Sequence, residues 1–185
     1  PHDRQMLKVI MDALPRADAA GIVRIPPGCP PGERRLALLE SNVRSPAVLG
    51  PKGFVPSRKL SHKAISEPRK RSHLHIWSTD PKDAVGSDAN EAADMTLATM
   101  HQQNVTPWAI CTPFQDGSKY ALYISGRVNG QWAMLSEAFQ NKTVSDLTQY
   151  QKIAELIVGL METTLRMSRL AKQNTVIRQA GPRAG

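Results

Sequence analysis

No apolar run in this 185-residue chain approaches the roughly 18–20 residues that a membrane span requires, and none has the form of a signal-peptide core. Cytoplasm is the compartment this leads us to expect. Cysteine is scarce, with two in all. Cys29 stands in the loop-forming stretch PPGCPPG and Cys111 in the middle of an apolar run, so no disulfide framework is available. Cys111 is expected to be a small core residue rather than a nucleophile. Cys29 is expected to be exposed, with nothing nearby to lower its pKa. Aromatic residues make up 5% of the chain, which leaves few platforms on which single-stranded nucleic acid could stack.

An RNP-like aromatic pair, zinc-finger spacing and a helix-turn-helix signature are also missing. The formal charge of +8 is therefore read as solvated surface rather than as a nucleic-acid footprint. Six cations against one acid, Glu67, fall between Arg58 and Arg71, and more cations follow from Arg166. Nothing resembles a P-loop or a nucleophile elbow, and no enzyme is expected in these residues. The acids Asp80, Asp83, Asp88, Glu91 and Asp94 lack the spacing of a calcium loop and read as loop and helix N-terminal charge.

The most informative stretch is Trp108–Arg127, WAICTPFQDGSKYALYISGR. Two apolar runs flank a Gln115-Asp116-Gly117-Ser118 turn, the pattern of a β-hairpin. Neither face of it is strongly polar, so the sheet is expected to be covered on both sides. Upstream, His2–Leu14 has the apolar spacing of an amphipathic helix that ends before Pro15. Ala19–Ile25 and Arg35–Asn42 read as strands around the Pro26–Gly32 loop, and Arg44–Pro56, broken by prolines and glycines, reads as irregular. Ser57 should cap a short helix that stops at Pro68, followed by a strand at His73–Trp77. Alternation puts His73 and His75 on one face of that strand. No third metal ligand accompanies them, so they are expected as exposed strand-face histidines. Ser78–Asn90 reads as a loop, Ala92–His101 as a helix and Asn129–Thr143 as a loop.

From Ser145 to about Gln179 the chain has no proline and only Gly159 among good helix formers, with Ser145 or Asp146 as cap. Its first half is apolar almost all round, so it must bury more than one face. With Ile153 at heptad position a, the a/d seam reads Leu156, Leu160, Thr163, Met167, Leu170, Asn174 and Ile177. A polar Asn174 at a would set register and pairing state, which makes this helix a candidate dimer seam.

The order helix, strand, strand, short helix, strand, loop, helix, hairpin, long helix resembles a GAF domain. SRKLSHKAI leading to HLHIW, then WAICTPF and DGSKYALYISG, carry the resemblance over roughly residues 4 to 165. More narrowly, ALPRADAAGIV, PSRKL, WAICTPF and ALYISGR are similar to GAF domains of bacterial signalling proteins in which an FHA domain precedes and a class III nucleotide cyclase domain follows. The resemblance implies an α+β fold, a GAF/PAS-like antiparallel sheet of five or six strands flanked by helices. It implies a sensor domain over residues 1–160 and a signalling helix with a polar tail over 161–185. It also implies a non-catalytic sensory role, a homodimer joined through the C-terminal helix, and an effector domain outside the chain. Both ends are expected to continue into a larger protein. A ligand pocket would lie over one face of the sheet, with Phe54, Leu60, Ile76, Trp77, Met95, Leu97, Trp108, Ile110 and Tyr123 as candidate walls. Its ligand is not identified by the sequence; a nucleotide met by the Arg58–Arg71 cations is the sharpest version. Bilin attachment is not expected, because neither cysteine matches that pattern. Haem and metal are not expected either: of the histidines that could serve as ligands, His62 and His101 fall on expected helices and His73 and His75 on a strand, with no third metal ligand beside that pair. The alternatives are a ligand-free dimerisation spacer and a basic nucleic-acid-binding module.

Overall fold

The computed structural model describes residues 2–44, 54–77, 105–129, 137–179 and 181. The helix expected at Ala92–His101, with Met95 and Leu97, and the acidic run Asp80–Asp94 lie outside them. Helix α1 (His2–Ala13) leads into β1 (Ala17–Arg24) and β2 (Ala37–Val43). Helix α2 (Arg58–Ser66) precedes β3 (His73–Ile76). Strands β4 (Val105–Pro113) and β5 (Tyr120–Asn129) form the expected hairpin, and α3 (Glu137–Gln179) closes the chain. The five strands make one sheet in the order β2-β1-β5-β4-β3, every neighbour antiparallel. This is the α+β architecture expected of a GAF/PAS-like domain. No helix among the described residues is long and apolar enough to cross a membrane.

Both faces of the sheet are covered, as the weak polarity of the hairpin requires. On one face, Ala20, Ile22, Ile76, Trp108, Ile110, Leu122 and Ile124 pack beneath α1 and α3. Leu7, Ile10 and Met11 of α1, with Leu14 just beyond it, and Leu147, Ala154, Ile157, Val158 and Met161 of α3 complete that layer. On the other face, Val23, Ala109, Cys111, Ala121 and Tyr123 lie under α2, which contributes Leu60 and Ala64. The period-2 alternation of β4 sends Trp108 and Ile110 to the first core and Ala109 and Cys111 to the second. The larger side chains lie under two helices and the smaller ones under one short helix.

Local devices set the element ends. Ser57 caps α2, its side chain accepting from the Leu60 amide at 3.2 Å. In the hairpin turn Asp116 Oδ1 accepts from Ser118 N at 3.0 Å, and Gly117 and Lys119 take φ of 75° and 60°. The Arg44 guanidinium donates to the carbonyls of Met11, Leu14 and Ala17, tying the end of α1 to the end of β2.

Two expectations need correction. Helix α3 begins at Glu137, inside the stretch read as a loop, so neither Ser145 nor Asp146 caps it. Residues such as Asn141 and Thr143 are poor helix formers. Burial of Thr143 and Leu147 holds this turn helical regardless. His73 and His75 are also not exposed: they are 2% and 4% accessible, on the face beneath α2.

Candidate functional site

The seven described pocket candidates do not line one cleft. Strand pairing sets Ile76 opposite Trp108, with Ile110 two residues on; all three point into the α1/α3 core. Phe54, Leu60, Trp77 and Tyr123 gather on the opposite, α2 face. The second group lies on the same face as His73 and His75.

On the α2 face the sheet floor sets the small residues Gly21, Ala109 and Cys111 among Tyr123, His73 and His75. Gly21 pairs with Tyr123, Ala109 with Ser125 and with His75, and Cys111 with His73. The Phe54 ring lies on Gly21, where an added Cβ would stand 2.6 Å from Phe54 Cε1, and its centroid is 5.9 Å from that of Tyr123. Ser57 N–H donates to Tyr123 Oη at 3.0 Å, which seats the start of α2 over β5. Ser61 Oγ donates to the Ser57 carbonyl at 2.7 Å. A hydrogen bond with Ser61 partly offsets the burial that pushes the Cys111 thiol up to about 12. That thiol stays protonated at neutral pH and is core, not a nucleophile.

His73 is the chemically unsettled group here. It is almost fully buried, and its Nε2 has no hydrogen-bond partner among the described residues. Burial lowers its pKa below the usual 6.5, the Lys70 and Lys63 charges lower it further, and Glu67 pulls the other way. His75 turns edge-on to Trp77, with centroids 5.7 Å apart. Among the described residues no three His, Cys, Asp or Glu side chains converge as a metal site.

The lowered value makes stability depend on pH. The folded chain keeps His73 neutral while the unfolded chain binds a proton near pH 6.5, so protons favour unfolding below that value. Stability should be full above pH 6.5 and should fall as pH drops from there towards the lower folded pKa. His73→Leu should flatten that slope. Urea midpoints taken at about pH 8 and about pH 5.5 for both proteins check this; equal slopes would remove His73 as the cause.

Of the basic group, Arg58, Arg69, Lys70 and Arg71 are exposed, and Lys59 and Lys63 of α2 are half-buried. Cys29, expected to be exposed, is instead half-buried, its thiol donating to the Glu33 carbonyl at 3.4 Å.

The second candidate surface is α3. One face is fixed to the sheet: Leu147, Ala154, Ile157, Val158 and Met161 are buried. Tyr150 meets Trp108 edge-on at 6.0 Å and its hydroxyl accepts from Arg16 N at 3.3 Å. Arg16 also pairs with Asp146 at 3.3 Å, and Glu162 accepts from the Gln115 amide at the hairpin tip. The expected seam is elsewhere on the helix. Leu156 is 70% exposed, Leu160 60%, Met167 63%, Leu170 47% and Ile177 68%; Asn174 is exposed and Ile153, at the border, is half-buried. At 3.6 residues per turn the seam lies roughly 160° round the helix from the domain face. From Thr163 to Gln179 every residue is exposed, an overhang of about 25 Å. The boundary expected at 160/161 falls within a continuous helix, close to where it leaves the sheet.

No protein-family model and no curated protein sequence matches the chain. Among solved structures, it is similar to the crystal structure of the chromophore-binding domain of an unusual bacteriophytochrome, RpBphP3 from R. palustris. The two are 10% identical with a TM-score of 0.42, over 89% of this chain and 55% of that one. The chain thus spans about half the length of that domain.

Proposed function

We propose that this chain is a non-catalytic regulatory domain of GAF type. In this reading it pairs with a second copy through α3 and transmits events on the α2 face to an effector domain of the same polypeptide. The observation that carries the reading is the placement of the apolar seam. Leu156, Leu160, Met167, Leu170 and Ile177 form a continuous stripe that the domain's own core does not use. The overhang includes Thr163, Thr164, Asn174, Thr175 and Val176, all poor helix formers, and a helix of this length and composition is marginal alone in water. Burial of the stripe against a second copy supplies what propensity does not.

The ligand class put forward is a small molecule, with nucleotides the first to test. It would sit on the α2 face against Phe54, Leu60, Trp77 and Tyr123, with His73 Nε2 as polar contact. The effector put forward, from the resemblance of the sequence motifs, is a nucleotide cyclase. A ligand that favours one packing of α2 and β3 reaches α3 through the β3–β4 edge of the sheet. The effect on pairing can be no larger than the ligand's difference in affinity between the two states.

A thermal-shift screen with nucleotides and cyclic nucleotides, joined to sedimentation velocity over a concentration series, tests this. A dimer whose midpoint rises with a ligand, and whose association changes with it, is the expected result. A chain that stays monomeric at about 0.5 mM would overturn it, since even a Kd near 1 mM, about 4 kcal/mol, would show as partial association. The packing of Phe54 onto Gly21 and Tyr123 favours a second reading, a ligand-free dimerisation spacer. A dimer indifferent to every ligand selects that reading.

A further inference from the structure

Resting on the proposed pairing through α3, we infer that the two copies of this helix run parallel and in register, with Asn174 opposite Asn174. The evidence lies in what each orientation would place across the seam. In a parallel, in-register pair every a and d residue meets its own copy: Ile153, Leu156, Leu160, Thr163, Met167, Leu170, Asn174, Ile177. Two residues of that seam are polar. The Thr163 hydroxyl is already satisfied, donating to the Gly159 carbonyl at 2.9 Å, so its methyl group can enter the seam without cost. An Asn174 side chain carries both a donor and an acceptor, and two of them facing each other can satisfy one another. Beyond Ile157, which is buried in the domain's own core, the flanking g and e positions then pair as Gly159 with Thr164, Arg166 with Ala171 and Gln173 with Arg178. No two cations meet, although Thr163–Gln179 holds Arg166, Arg169, Lys172 and Arg178 and no acid.

The antiparallel arrangement that covers the same seam end to end sets Ile153 against Ile177. It then places Asn174 against Leu156, where the buried amide has no partner, and Arg166 against its own copy across the two-fold axis. An orphaned buried amide and a close like-charge pair each destabilise that arrangement. Parallel pairing also puts both C-termini on the same side. The two domains stand outside the helix pair, because the seam and the domain face lie on nearly opposite sides of α3.

Disulfide trapping in the full chain tests this, with Cys29→Ser as background and buried Cys111 retained. Asn174→Cys under mild oxidation should shift the non-reducing gel band from one chain mass to two, since facing a positions come within disulfide reach. Ser168→Cys, which lies off the seam, should stay at one chain mass. If Asn174→Cys is trapped only when mixed with Leu156→Cys, the helices run antiparallel. That result overturns this inference while leaving the helix-mediated dimer intact. A dimer by sedimentation that neither combination traps places the contact elsewhere and overturns both, and so does a chain that sediments as a monomer.

Discussion

Gly126→Ala is expected to destabilise the domain by about 3 kcal/mol and to lower its thermal midpoint by roughly 6–12 °C. Gly126 faces Trp108 across the β4–β5 ladder. A Cβ there would stand 2.5 Å from the Arg16 carbonyl oxygen and 2.5 Å from Trp108 Cζ2. Neither neighbour can yield. The Arg16 carbonyl belongs to the α1–β1 turn, which Arg44 and Tyr150 hold from either side. The Trp108 indole is fully buried between the sheet and Tyr150 of α3. Two further glycines calibrate the argument. At Gly21 the two closest atoms are the ends of Phe54 and Leu38, at 2.6 and 2.9 Å, and the one backbone neighbour, the Glu40 carbonyl oxygen, stands farther off at 3.1 Å. Those side chains can shift, so Gly21→Ala should cost nearer 1 kcal/mol. At Gly159 nothing lies within 4 Å. There alanine should stabilise α3, by up to about 1 kcal/mol, through helix propensity. Chemical denaturation of the three variants reads the order directly. A Gly126→Ala protein as stable as wild type would mean that Trp108 is not seated against Gly126.

Much of this architecture is legible in the residues, for identifiable reasons. The hairpin is marked by two apolar runs around Asp116-Gly117, and Ser57 marks the start of α2 through its side-chain oxygen. Strand ends fall within three residues of the expected positions because Pro15, the PPGCPPG loop and Pro68 punctuate the chain. The start of α3 was not legible. In residues 137–144 the good helix formers Glu137, Ala138, Gln140 and Lys142 alternate with the poor ones Asn141, Thr143 and Val144, and burial of Thr143 and Leu147 decides between them.

The candidate site was legible as a set of residues but not as a place. Strand parity separates Trp108 and Ile110 from Tyr123, because Tyr123 is opposite Cys111 and Ile124 is opposite Ile110. That register depends on the length of the hairpin loop, which the sequence leaves open. The burial of His73 and His75 depends on α2 folding back over β3, the strand that follows it, and no local pattern encodes this. The two faces of α3 are the reverse case. The heptad from Ile153 and the buried run Ala154, Ile157, Val158, Met161 are both written in the sequence, and the structure adds that they point in nearly opposite directions.

Introducing glutamate at both Leu156 and Leu160 is expected to separate the two chains while leaving each domain folded. Both leucines are mostly exposed on the single chain, 70% and 60%, so surface substitution there should change domain stability by no more than about 0.5 kcal/mol. In the paired helices the same positions face their own copies, and the exchange would bury four carboxylates against one another. An uncompensated buried charge costs about 3–5 kcal/mol, so the dissociation constant should rise at least about a thousand-fold. Helix content should fall at the same time, because Thr163–Gln179 loses its partner while the segment docked on the sheet keeps its own. Sedimentation equilibrium of wild type and the double variant, at matched concentrations and with thermal midpoints measured alongside, is the direct measurement. A wild-type dimer and a monomeric variant with an unchanged domain midpoint is the result expected if α3 joins two copies through its outer face. A variant that remains as dimeric as wild type would show that the outer face of α3 is not the interface.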